Sequence, residues 1–151
     1  MRKYKFRIVL LITAALLGLF SYRPVTESDT YFGIKIGELI ITTGGLPHTE
    51  VFSWSAAGRD WNIYEWLFQT IAYLLHQAGG FVLLGIVNSL LFATLFLIST
   101  ALFFKALRRD ALSSWLFSLL ICAGIFEFFV FRPQIIGYIS ITALLYLLFL
   151  Y

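Results

Sequence analysis

A chain of 151 residues that is 60% hydrophobic, 19% aromatic and only 13% charged has too few polar side chains to cover a water-soluble surface, which excludes a soluble globular domain. The formal net charge of +3 is modest and is read by position, because basic residues beside apolar runs report membrane orientation and do not call for a nucleic-acid partner. The lone Cys122 sits inside an apolar run and allows no intrachain disulfide.

The pattern of apolar runs predicts an all-α membrane protein. It forms a single membrane domain over 1–151, with about four spans at 8–21, 81–104, 113–131 and 135–151 and an outer loop at 22–80. The chain opens with "MRKYKFR" before "IVLLITAALLGLF", a basic flank followed by an uncharged run, as in a secretory signal or a signal anchor. No small-x-small cleavage site follows. The sequence passes directly into Ser21, Tyr22, Arg23 and Pro24, so the first helix is expected to be retained.

A helix is predicted at 30–42, with Ser28 and Asp29 supplying N-cap oxygens, apolar Phe32, Ile36, Leu39 and Ile40 at helical spacing, and Gly44 with Gly45 at its end. Gly33 and Gly37 leave a smooth strip for close packing on a neighbouring helix. A second helix is expected at 63–75, with Glu65, Gln69, Ala72 and His76 on one face and Trp66, Leu67, Ile71, Leu74 and Leu75 on the others. Both are read as interfacial, juxtamembrane helices.

Orientation follows from Lys and Arg. Four of the 11 precede the first span and three lie in "KALRR" at 105–109, which puts both segments in the cytoplasm. Residues 22–80 then lie outside. A span at 63–75 would move Lys105, Arg108 and Arg109 to the outer side, against the positive-inside rule. A loop of this length is uncommon without structure of its own, and this one is too aromatic to be disordered.

Six of the eight acidic residues fall in the loop: Glu27, Asp29, Glu38, Glu50, Asp60 and Glu65. Asp29 is the most suggestive, because a helix N-terminus favours negative charge and an ionised carboxylate there can accept a proton from a sugar hydroxyl; the plainer reading is a helix cap. Glu127 lies within the third apolar run, where an acid is expensive unless neutral, paired or facing a cavity, and Arg132 is about one turn away. It is read either as a cavity residue or as an interhelical hydrogen-bonding group. Trp54, Trp61 and Trp66 suit sugar stacking or interfacial anchoring, and His48 and His76 lack the spacing of a metal pair.

The stretch "SDTYFGIKIGELIITTGGLPHTEVFSWSAAGRDWNIYEWL" resembles the first outer loop of GT-C-type polytopic membrane glycosyltransferases, the group related to protein mannosyltransferases and lipid A aminoarabinose transferases. The matching elements are Asp29, Gly37-Glu38, Gly45-Leu46-Pro47, Glu50 before Phe52-Ser53, and the block from Trp61 to Leu67; the later "FRPQ", ending at Gln134, is similar as well. Two features depart from the group: Glu50 stands where aspartate is common, and about four spans replace the usual eight or more. The resemblance therefore implies an N-terminal fragment, inactive alone.

The implied reaction transfers a sugar from a polyprenyl-phosphate donor to an acceptor on the outer face of the plasma (inner) membrane, with the first loop periplasmic or extracellular. In that reading Asp29 is the general base, and Glu38, Glu50 and Glu65 bind acceptor hydroxyls or, as the one cofactor left open, a divalent cation. Trp66 and Glu127 belong to the substrate-binding set, while Arg59 and Arg132 neutralise the departing phosphate. The plainer alternatives are a surface ion pair between Arg59 and Asp60 and a snorkelling role for Arg132. Two rival functions also fit an apolar chain. A transporter subunit explains an intramembrane acid but needs broken helices at the midplane, where only Asn88 is strongly polar in the second span; a non-catalytic scaffold would use the loop's aromatics to hold a partner.

Overall fold

The computed structural model describes residues 2–23, 27–107 and 110–150. Pro24, and Arg108 and Arg109 of the basic segment on which the expected orientation rests, lie outside the described residues. Those described form five α-helices: α1 (Arg2–Ser21), α2 (Ser28–Thr43), α3 (Trp66–Ala106), α4 (Ala111–Ile125) and α5 (Gln134–Leu148), with a 3-10 turn at Phe126–Phe128. Three stretches are long and apolar enough to cross a membrane: Tyr4–Ser21, Trp66–Ala106 and Ala111–Phe128. The chain is thus an all-helical membrane protein in type, with α5 a shorter apolar helix.

α3 is two helices in series. Gly79 (φ −158°, ψ 18°) and Gly80 (φ 62°, ψ −158°) leave helical geometry, and the combination at Gly80 is open essentially to glycine alone. The helix before the break covers 66–78 and starts three residues later than expected from the apolar pattern; the one after it covers 81–106, about 39 Å of helix against a hydrocarbon core of about 30 Å.

Two compact units divide the chain, one from Met1–Pro24 with Gly85–Tyr151 and one from Val25–Leu84. In the first, α1 turns Leu10, Ala14, Leu17 and Ser21 inward, a helical stripe, while Ile8, Leu11, Ile12, Leu19 and Phe20 are exposed. The later part of α3 buries Asn88, Phe92, Leu95, Phe96 and Ser99, and α4 buries Ser114, Ser118 and Cys122 one turn apart. Outward-facing leucines beside an inward stripe of small residues is the pattern expected in lipid, where tails are as apolar as leucine and close backbone approach drives association. Each buried hydroxyl of α4 donates to the carbonyl four residues earlier, Ser114 to Asp110 and Ser118 to Ser114, so neither hydroxyl is stranded. Phe92 anchors the core, edge-on to Phe126 and Phe129, with Cys122 and Ile135 beside it.

The third span ends earlier than its apolar run. The α-helix stops at Ile125, not at 131, and passes through the 3-10 turn into irregular backbone. Asn88 stabilises this ending: its Nδ2 donates to the Phe129 carbonyl at 3.2 Å, an acceptor that a continuing helix would have used. Pro133 then disfavours helix at the residue before it and serves as the N-cap of α5, which covers 134–148 where a span at 135–151 was expected. At about 22 Å, α5 falls short of a full hydrocarbon thickness.

Candidate functional site

Six of the eight sequence-predicted site residues (Asp29, Glu38, Glu50, Arg59, Glu65 and Trp66) belong to the second unit. Its frame is the contact between α2 and the helix at 66–78. A methyl group at Gly37 would sit 2.2 Å from the Gln69 carbonyl oxygen and 2.7 Å from Tyr73 Cβ, so the two backbones meet at a distance that glycine alone allows. Gly33 faces the Gln69 side chain one turn earlier. The glycine strip read from the sequence is therefore a packing surface.

The same contact shows which face of the second helix meets protein. Gln69 (8% exposed) and Ala72 (2%) form its buried face, whereas Trp66, Leu67, Ile71 and Leu74 are exposed. An interfacial helix leaves its leucines free of protein, and here the small or flexible face makes the protein contact.

Asp29 also moves relative to expectation. The N-cap position of α2 is Glu27, and Ser28 and Asp29 lie within the first turn, because the helix starts two residues earlier than the apolar spacing indicated. Asp29 is exposed there, where the helix dipole favours its charge. Gly44, in the left-handed conformation (φ 71°), ends α2 by donating to the Ile40 carbonyl. Two residues after Asp29, the Tyr31 ring lies 4.9 Å from that of Phe81, the first residue beyond the Gly79–Gly80 break.

The segment between the helices is ordered by its own hydrogen bonds. Trp61 donates to His48, Glu50 to Arg59 and Gly58 to Glu50, with an antiparallel bridge between Thr49 and Asp60. The Glu50 carboxylate closes the loop from inside, its Oε1 accepting the N–H groups of Phe52 at 2.7 Å and Ser53 at 3.1 Å. Phe52 and Trp61 then meet edge-on and pack against Phe32 of α2. Glu50 is thus a turn-forming acid, and the aromatic trio explains why this polar stretch carries so many rings.

Glu38 pairs with Lys35 at 2.7 Å, which holds the Lys35 ammonium above its ordinary range. Glu65 is exposed, immediately before α3, and its carbonyl accepts from Gln69 N–H; Trp66 follows as the first helical residue. Arg59 is exposed and, among the described residues, is not ion-paired with the adjacent Asp60. Among the described residues no three His, Cys, Asp or Glu side chains converge as a metal site.

The remaining two, Glu127 and Arg132, lie in the first unit. Glu127 is not within a helix interior. It sits in the 3-10 turn, 77% exposed at the side chain, and both of its oxygens accept from Arg23 at 3.1 Å rather than from Arg132, which the spacing also permitted. The helix ends where the acid would otherwise enter apolar surroundings, which removes the energetic problem the sequence posed. Arg23 also lies over the Phe126 ring, 4.1 Å from its centroid. Arg132 is half-buried just before Pro133. Sequence reasoning gave no role to Arg23 and treated Asn88 only as a polar residue within a span. The available signals were a cation at the end of one apolar run and an amide inside another. Comparison of the chain with protein-family models, with curated proteins and with solved structures returns no match.

Proposed function

We propose that this chain is the N-terminal membrane portion of a GT-C-type glycosyltransferase that moves a sugar from a polyprenyl-phosphate donor to an acceptor on the outer face of the plasma membrane. The observation that carries the reading is an exposed carboxylate, Asp29, in the first turn of a helix that follows the first candidate span and is locked through Gly37 onto the helix leading into the next. In this reading α1, residues 81–106, α4 and α5 make four crossings, the N-terminus is cytoplasmic, and the unit at Val25–Leu84 is on the outer side.

The step is an inverting displacement. The acceptor hydroxyl oxygen attacks the anomeric carbon, the bond from that carbon to the phosphate oxygen breaks, and the hydroxyl proton passes to Asp29 while the polyprenyl phosphate leaves. Glu38 and Glu50, engaged by Lys35 and by the turn amides, shape the loop. Glu65 and Trp66, exposed at the start of α3, offer a hydrogen-bonding acid and a ring to the acceptor, and Arg59 offers a cation to the phosphate. The test is transfer of labelled sugar from a polyprenyl-phosphate donor in membranes carrying the complete protein. Asp29→Asn should reduce transfer by about 100-fold or more with insertion unchanged. Transfer by Asp29→Asn at the unsubstituted rate would remove Asp29 as the base, and no transfer above that of membranes lacking the protein would remove the reading and favour a scaffold.

A further inference from the structure

We infer that the loop at 48–61 is a lipid anchor that seats the Trp54 indole among the headgroups of the outer leaflet. Trp54 is 95% exposed, yet the loop that presents it is rigid: Glu50 fixes the turn just before it, the Ser53 and Ser55 hydroxyls on either side lie 3.1 Å apart, and the backbone is paired at 48–50 with 59–61. Ordering a loop around an exposed indole, with Val51 and Phe52 also open, is unfavourable in water and favourable where an amphipathic ring is half in hydrocarbon and half in headgroup.

The depth of the loop follows from contacts within its own unit. On the topology proposed above, in which the crossing segment begins after the Gly79–Gly80 break, Phe81 marks the level at which the chain enters hydrocarbon. Its ring lies 4.9 Å from Tyr31, and the neighbouring Phe32 holds Phe52 at 5.3 Å and Trp61 at 6.2 Å. Trp54 is two residues beyond Phe52, a reach of about 7 Å. The tip is thus tied, through three ring contacts, to the start of a membrane span. The cation of Arg59 and the adjacent Asp60 are both exposed and offset each other, while the Glu50 carboxylate is turned toward backbone amides, so the aromatics rather than net charge hold the loop to lipid. The bilayer is the occupant that matches both this continuity and the apolar faces of Leu67, Ile71 and Leu74 in the same unit.

The experiment places an environment-sensitive fluorophore on Trp54→Cys in the full chain reconstituted into phosphatidylcholine vesicles. Cys122 is buried and does not compete for the label. Position 54 makes little contact, so the substitution should leave the fold intact, as an unchanged melting temperature would verify. Emission should be blue-shifted from its position in buffer and quenched about two-fold or more by lipids carrying a nitroxide near the headgroup. Emission at the aqueous position, quenched by iodide and indifferent to nitroxide lipid, would overturn the inference and leave Trp54 as a platform for a soluble sugar or protein. Because no sugar substrate enters the measurement, this outcome is separate from the test of transfer.

Discussion

The Arg23 guanidinium holds both carboxylate oxygens of Glu127 at 3.1 Å, joining residues 104 positions apart, and rests on the face of Phe126 beside them. This fork ties the end of α1 to the end of α4 at the point where α4 gives up its helix. Planar, two-pronged pairing is a property of arginine, not of positive charge in general.

Replacing Arg23 by lysine should therefore recover only part of the stability lost in Arg23→Ala. Exchanging the charges, Arg23→Glu with Glu127→Arg, should melt above either single reversal but below the unsubstituted protein, because the contact with Phe126 is not rebuilt. Thermal melts in detergent across the cycle report the coupling; additive effects of the two reversals would show that the fork is incidental.

Gly37→Ala should destabilise the unit at Val25–Leu84 by about 1–3 kcal/mol, the range for forcing atoms into a filled interface. The new methyl meets a backbone carbonyl, which cannot rotate away as a side-chain tip would. Gly45→Ala, with nothing within 4 Å, is the matched control and should be near neutral. Limited proteolysis of the loop, faster in the first variant and unchanged in the second, measures the difference.

Gly80→Ala places a Cβ on a backbone at φ 62°, ψ −158°, a strain of about 1–3 kcal/mol. The break should either move or straighten. Spin labels on either side of it, at the exposed Ile71 and Leu90, should report a changed separation; an unchanged distance and melting temperature would show that the break does not depend on glycine.

Asp110 caps α4 by accepting from Ser113, and the Ser113 hydroxyl and backbone N–H hold its carboxyl below the ordinary aspartate range. A carboxyl with a depressed folded-state pKa contributes stability that is complete above its unfolded value and is lost as pH falls through the folded one. The melting difference between the unsubstituted protein and Asp110→Ala should accordingly be largest near neutrality and shrink below about pH 4. A difference independent of pH would assign the cap to geometry alone.

Much of the frame was legible because lipid imposes simple rules. Apolar runs marked α1, 81–106 and α4, and Gly33 and Gly37 signalled close packing, while the break at Gly79 and Gly80 went unread. What the sequence concealed depends on tertiary partners. The run through Phe129 and Val130 looks continuous, yet a distant arginine and the Asn88 amide make an early ending favourable. The face shared by Gln69 and Ala72 was visible, but its packing against Gly37 was not, since burial there is decided by fit against glycine and not by hydropathy. For the candidate site, the residue types were visible, but the engagement of Glu50 by Phe52 and Ser53 amides, and of Glu38 by Lys35, required the fold.

The side of the membrane on which the unit at Val25–Leu84 lies decides the rest. A cysteine at Gly45, an exposed position where an added side chain meets nothing, can be treated with a membrane-impermeant maleimide in right-side-out and inverted vesicles. Reaction confined to right-side-out vesicles is the expected result. Reaction confined to inverted vesicles would put Asp29 in the cytoplasm and contradict an outer-face transferase.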